Sequence, residues 1–473
     1  MIETKARTSR RTPGRRSNIS RMFPNPQDAL PLPLRPNLER HKKLARDLLT
    51  ACRSVEPDAI GDWAEAWVTM LVRRSGLKLG RKESRAIVRW TEQVERFVQR
   101  TLSNKDSLRI ADAQFVLARS HGFESWPTFS KHLDGLSQKS SVVAKFETAT
   151  DAICNGDVKT LKRLLAEEPK LIHSRSTREH KATLLHYVSA NGVEGYRQKT
   201  PRNIVEIAKV LLDAGADVNA EADVYGGGAT ALGLVGTSVH PFRAGVQNPL
   251  MQVLLDHGAD IDHVTSAGNH QSAVAGCLAN GRGEAAVFLA DRGARLDLES
   301  AAGVGRLDVV KEFFNADGRL KRKATRRQLQ AALKHACTWG RLNVVEFLLD
   351  KEVDLNRDRD DGQTPLHCAA IGGQLETIKF LLKHNAPLEV KNMYGGTVLG
   401  QTLWSAAHGG DPKTYAEIIK VLIAAGAKIP ERHVPVNKPI DDLLRDYGSL
   451  PEPTWYWFGE KPHRTPSSEG KQA

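Results

Sequence analysis

The chain reads as all-α: a solenoid of helix-turn-helix repeats with short hairpin tips, preceded by a small helical domain. Three observations predict this. The first is the stretch from Asp361 to Leu382. There Thr364-Pro365-Leu366 opens a helix, with proline in the first turn where its missing N–H costs nothing. Ala369 and Ala370 are small enough for a neighbouring helix to approach, and Gly372-Gly373 ends the helix where a left-handed residue is needed. Leu375, Ile378, Leu381 and Leu382 then share one face of a second helix. The second observation is recurrence of the apolar pair, at Leu164-Leu165, Leu211-Leu212, Leu254-Leu255, Phe288-Leu289, Phe313-Phe314, Leu348-Leu349, Leu381-Leu382 and Leu422-Ile423. Their spacings run 47, 43, 34, 25, 35, 33 and 41 residues. The third is a recurring turn after the second helix, starting at Ala214, His257, Arg292 and Ala425, each followed by Gly-Ala. A unit of this kind cannot bury its apolar face alone, and stacked copies make a binding surface, not a catalytic pocket.

The Thr364-Pro365-Leu366-His367 motif with its following helix resembles the ankyrin repeat. Two of the spacings sit close to the roughly 33 residues of that repeat, and the longer ones imply insertions. The resemblance implies six to eight repeats between residues 143 and 430, several of them degenerate. It also implies that His367, and His186 at the same position of the second repeat, tie down neighbouring backbone and do no chemistry.

Taken in order, residues 1–36 are basic and then proline-rich, and read as an unstructured lead-in. Met22 is an alternative start, because the resemblance begins just after it. Residues 37–135 read as a helical domain. Asn37 is an N-cap, and Leu44, Leu48 and Cys52 recur at helical spacing, as do Trp63, Trp67 and Leu71. Trp90, Val94, Phe97 and Val98 mark a third helix. A fourth, from Ile110, ends at Gly122, and a fifth starts at Ser125 with Pro127 in its first turn. This last pair is similar to the helical preamble of a group of bacterial ankyrin-repeat proteins. The first repeat begins near Asp151. Insertions at 193–202 and 237–247 lengthen the second and third repeats, and such insertions often map to the binding face. The fifth repeat, around Glu299–Gly305, leaves no room for a full hairpin. The inner helix of the last repeat, around Gly400–Ala407, is extended. Residues 431–473 form a tail with an amphipathic piece (Ile440, Leu443, Leu444) and an aromatic run, Trp455–Phe458, that would cap the last repeat.

The composition is that of a chain that folds, with 26% charged and 40% hydrophobic residues. No stretch of about 18 apolar residues points to a membrane span, and no apolar run follows the N-terminal arginines as a secretory signal requires. The five cysteines are dispersed without a Cys-x-x-Cys, so reduced core thiols are expected. A cytoplasmic monomer follows. Of the net charge of +13, residues 1–22 carry +6, leaving +7 for the other 451 residues.

No nucleophile elbow, P-loop, dinucleotide fingerprint or paired-histidine metal motif is present, so neither a cofactor nor a metal is expected. The acids and histidines of the helical domain (Asp62, Glu65, Glu83, His121, His132) show no spacing that separates chemistry from a charged helical surface. The expected function is non-catalytic recognition of a protein partner on the concave side of the repeats. Register places Asp358, Asp360, Gln363, Cys368 and Ile371 there, with Met393 and Tyr394 in the next repeat, Thr338 and Trp339 in the previous one, and Tyr225 in the third. Tyrosine and tryptophan are the usual anchors of interfaces; packing against neighbouring insertions is the competing account. The second reading is a nucleic-acid or acidic-partner site on the basic run Arg319, Lys321, Arg322, Lys323, Arg326 and Arg327 with the N-terminal tail, or else simply a solvated loop. Binding through that run would fall steeply with salt, whereas binding through the aromatic positions would not.

Overall fold

The computed structural model describes residues 25–77, 80, 83–102, 108–264, 272–322, 324–351, 353–356 and 362–452. The expected N-terminal basic tail, Lys323, Asp358, Asp360 and the aromatic run Trp455–Phe458 lie outside the described residues. The chain divides into two compact units, with the boundary between Ala285 and Ala286.

The first unit opens with five helices, α1 (Leu38–Arg53), α2 (Ala59–Arg74), α3 (Glu83–Leu102), α4 (Ile110–Ser120) and α5 (Trp126–Ser137). Asn37 caps α1 by accepting from the Arg40 amide at 3.0 Å, and Ser125 caps α5 with Pro127 in its first turn. The tryptophans at helical spacing, Trp63, Trp67 and Trp90, meet Leu48, Leu71 and Val94 in one core. Residues 25–36, expected to be unstructured, are instead a strap on this bundle. Ala29 and Leu30 are buried, the Leu30 amide donates to Ser120 O at 2.8 Å, and His121 Nδ1 donates to Leu30 O at 3.0 Å. Proline fixes the strap's extended backbone, and its apolar side chains find a groove that the linear sequence does not reveal.

The repeats of the first unit follow. α6 (Val142–Asn155) and α7 (Val158–Glu167) form the first hairpin, and α8 (Ile204–Asp213) is the outer helix of the second. Its inner helix is a short 3₁₀ turn, Leu184–Ser189, of six residues. α9 (Ala231–Thr237), α10 (Val239–Arg243) and α11 (Gln247–Asp256) make the third repeat, the lengthening expected at 237–247 supplying α10. α12 (Ala273–Ala279) begins the fourth. Inner helices stack on inner helices: α6 on the 3₁₀ turn, that turn on α9, and α9 on α12.

The insertion at 193–202, read as binding-face material, is turned inward. It buries Glu194 and Arg197 in an ionic network with Arg178 and with Glu147 of α6. Arg178 Nη1 donates to Glu147 Oε1 at 2.6 Å, and its Nε lies 2.8 Å from Glu194 Oε1. Arg197 reaches Glu147 Oε2 at 2.8 Å and Asp151 Oδ1 at 2.8 Å. The Arg178 guanidinium also lies 5.4 Å from the Phe123 ring, and Arg119 of α4 pairs with Glu179 next along the chain. Both ends of the network thus hold the helical bundle and the first two repeats together. Burial pushes the Glu147 and Glu194 carboxyls up, but the two arginines outweigh it and hold both below the usual carboxylate range.

The boundary falls within α13 (Gly283–Ala290). The second unit continues with four hairpins: α14 (Leu298–Val304) and α15 (Leu307–Lys311); α16 (Arg326–Thr338) and α17 (Leu342–Leu349); α18 (Pro365–Ile371) and α19 (Leu375–Lys383); α20 (Val398–Ala407) and α21 (Pro412–Ala424). Inner helices α14, α16, α18 and α20 stack in sequence, as do the outer ones. α14 follows the Arg292–Gly293 turn almost at once, with no room for a full hairpin tip before it, and α20 is three residues longer than α18. α22 (Lys438–Asp446) sets Ile440 and Leu444 fully into the same core against α21, beside a parallel pair of two-residue strands, β1 (Arg432–His433) and β2 (Leu450–Pro451). All five cysteines are free thiols, four of them buried.

Two stability predictions follow. Burial lowers the His121 pKa to about 3 and those of His132 and His186 to about 4. The unfolded chain takes up protons near pH 6.5 while these folded groups do not, so the first unit loses stability as pH falls below about 6.5, by up to about 1.4 kcal/mol per pH unit for each group. Urea unfolding at pH 7 and pH 5 tests this, and His121→Phe should remove about one proton from the slope; an unchanged slope contradicts the assignment. Arg178→Met leaves Glu147 and Glu194 undercompensated and should cost about 3–5 kcal/mol, read from the same unfolding curves at pH 7.

Candidate functional site

The hairpin tip between α19 and α20 owes its shape to one asparagine. Asn392 is buried, and its Oδ1 accepts from the amides of Tyr394 and Gly396, each at 3.0 Å. Its own amide donates to Gly396 O at 3.0 Å, Gly395 N–H donates to Asn392 O at 2.9 Å, and Gly395 takes the left-handed conformation with φ +80°. His367 of α18 completes the frame. Its Nδ1 faces the Thr364 amide and hydroxyl, and Nε2 donates to Gly396 O at 3.2 Å. His186 does the same in the first unit, with Thr183 on one ring nitrogen and Ala229 O at 3.1 Å on the other. Both histidines are structural struts, as the sequence motif implies.

On this braced tip Met393 and Tyr394 are 64% and 81% exposed. Large apolar side chains held out in water on a rigid turn can join an interface at small entropic cost. Next along, α20 exposes Trp404, its ring stacked on His408 at 4.1 Å between centroids. Trp404 was not singled out from the sequence, although a signal for it exists. It stands seven residues after the N-cap Thr397, the register that Ile371 holds after the N-cap Thr364.

Other expected positions are less open. Ile371, Gln363, Thr338 and Trp339 are half-buried, and the Trp339 indole nitrogen is shut away from solvent. Cys368, read as facing the concave side, is buried in the core, where the close stacking of α16, α18 and α20 leaves no open face at its register. Gly372 explains that closeness: a Cβ there would sit 1.9 Å from Thr338 O, so α18 reaches the backbone at the end of α16. Tyr225 belongs to the first unit. It is 52% exposed on the tip closed by the Ala222–Ala229 bridge, and its hydroxyl donates to Asn191 Oδ1 at 2.7 Å.

The basic run begins on a hairpin tip and ends in a helix. Phe314 and Leu320 pair as a bridge, making residues 314–320 another hairpin tip. Arg319 is exposed on it, 3.7 Å from Asp317, while Lys321 folds back onto Glu312 O at 2.9 Å. Arg322 is exposed, and Arg326 and Arg327 are exposed in the first turn of α16. Among the described residues no group of three or more metal-ligating side chains occurs, and no helix is long and apolar enough to cross a membrane.

Known proteins share the repeat. A family model described as ankyrin repeats (3 copies) matches residues 298–392 and 356–433. The Notch-regulated ankyrin repeat-containing protein A of Danio rerio is 30% identical over 100 residues, 21% of this chain and 82% of that protein. A probable E3 ubiquitin-protein ligase, XBOS31, of Oryza sativa subsp. japonica is 37% identical over 90 residues, and alpha-latrocrustotoxin-Lt1a of Latrodectus tredecimguttatus 28% over 183. The chain spans only 20% and 13% of those two proteins' lengths. The ankyrin repeat domain of human ASB11 aligns in structure with 59% of this chain and 98% of its own, at 22% identity and a TM-score of 0.33.

Because a side chain at Gly372 must displace backbone, Gly372→Ala should cost the second unit about 3 kcal/mol, checked by denaturant unfolding. Stability equal to wild type would show that α16 and α18 stand further apart.

Proposed function

The chain belongs to the ankyrin-repeat family, whose repeats are generally protein–protein interaction modules, and on that premise we propose that it is a non-catalytic binding protein. In this reading a protein partner docks on the tip-and-inner-helix side of the second unit, with Met393, Tyr394 and Trp404 as anchors and the half-buried Ile371, Gln363, Thr338 and Trp339 around them. Exposure of Met393 and Tyr394 on a tip braced by Asn392 and His367 carries the proposal. A braced tip leaves little conformational freedom to lose on binding. Asp358 and Asp360 belong to the same proposed surface by register. The proposal places the protein in the cytoplasm.

A second reading rests on the basic run, where Arg319 on the tip, Arg322 after it and Arg326 at the start of α16 are each exposed. They would take an acidic partner or nucleic acid, and that binding would weaken with salt.

Affinity capture with the full chain tests both. The double variant Met393→Ser, Tyr394→Ser should lose a captured protein, with a drop in affinity of roughly 30-fold for two kcal/mol of anchor energy. Asn392→Ala, which leaves both anchors in place, should weaken the same capture through loss of the rigid turn. Capture that survives the double variant but washes off with salt would move the site to the basic run.

A further inference from the structure

A cleft of about 990 Å³ opens in the first unit beside the buried ionic network. That volume is at the upper end for small-molecule sites. One wall is the strap and the turn after α2, with Leu32, Leu34 and Leu77; Leu136 and Leu164 add apolar surface from α5 and α7. Leu34 is 76% exposed, although its amide is fastened to Arg74 O at 2.9 Å. A fixed backbone thus holds an apolar side chain in water at the cleft wall. The floor is polar and built: Arg178, Arg197 and Glu147 line it, and each is at least nine-tenths buried.

The charges on this lining do not balance. Six basic side chains face three acidic ones. Arg178 and Arg197 are taken up by Glu147, Asp151 and the buried Glu194 behind the wall, and Arg163 by Glu167 at 2.6 Å. Among the described residues, the lining cations left without an ion pair are two lysines. Lys145 lies 3.3 Å from Glu168, which is not on the wall, while Lys139 and Lys199 have no ion pair among the described residues. Burying guanidinium and carboxylate groups costs several kcal/mol per ion, and apolar side chains would join bundle to repeat at less cost. Perturbed ionisable groups lining a cleft mark a candidate binding site.

We infer that this cleft is a binding site for a small amphipathic organic anion, its apolar body against Leu32, Leu34 and Leu77 and its acidic head toward Lys139, Lys145 and Lys199. The site belongs to the first unit and does not depend on the tip surface proposed above for the second. Carboxylate and phosphate heads share the needed chemistry, so the test carries both.

The probe is anilinonaphthalene sulfonate, titrated by fluorescence into the full chain and compared with N-phenylnaphthylamine, the same ring system without the anionic group. Saturable one-site binding of the sulfonate, at least tenfold tighter than the neutral compound, is expected. Decanoate or decyl phosphate should displace it, and whichever does so at lower concentration identifies the head group. Lys139→Glu with Lys199→Glu should weaken the sulfonate at least tenfold and leave the neutral probe unchanged. Both lysines are exposed, so the unfolding midpoint should not move. Leu34→Asp, also at an exposed position, should weaken both probes. Non-saturable binding, equal affinity for the two probes, failure of both competitors, or insensitivity to the lysine pair would each overturn the inference.

Discussion

The stack depends on how closely one inner helix can approach the next. At Gly372 there is no room for a single carbon before the carbonyl of Thr338. Ala332, Ala336, Ala369 and Ala370, all fully buried, extend the same close seam between α16 and α18. Small residues there bring each repeat against its neighbour, and the larger Leu and Ile side chains of the outer helices fill what remains. Substituting bulk at the seam would push every later repeat outward. The tips follow from this spacing, because the His367 ring reaches Gly396 O only if α18 and the next tip are one repeat apart.

The first unit solves a different problem. Its bundle and its first two repeats meet where a repeat stack would otherwise end, and a terminal repeat needs cover. The cover is partly ionic. Arg178 comes from a loop, Glu147 from α6, and Glu194 and Arg197 from the 193–202 insertion, so the network exists only when all three segments are in place. Removing one charge leaves the others buried without compensation, which makes the junction all-or-none. A network of this kind gives specificity of docking more than stability, and it leaves room for the open cleft beside it.

Positions read from the repeat register separate into two groups. Met393 and Tyr394 stand on a turn, where nothing packs over them; Thr338, Ile371 and Trp339 stand on or beside inner helices, where neighbouring helices take part of their surface. Trp404 shows that register alone underestimates exposure at the last inner helix, where its side chain is left 48% exposed. The basic run shows the converse. Six basic residues in nine suggest a loop, yet the run starts on a tip closed by Phe314 and Leu320 and ends in the first turn of α16.

By itself the sequence determined the helix-turn-helix repeats, the caps at Asn37, Ser125 and Thr364, the strut role of His367 and the abbreviated fifth repeat. All of these are set by interactions within a few residues or by a period that recurs along the chain. Tertiary structure alone decided the inward turn of residues 193–202, the docking of the strap at Leu30, the burial of Cys368 and the opening of the cleft. Each rests on partners dozens of residues apart, such as Arg178 with Glu147 or Leu30 with Ser120. No local pattern records which distant charge or groove a segment will meet.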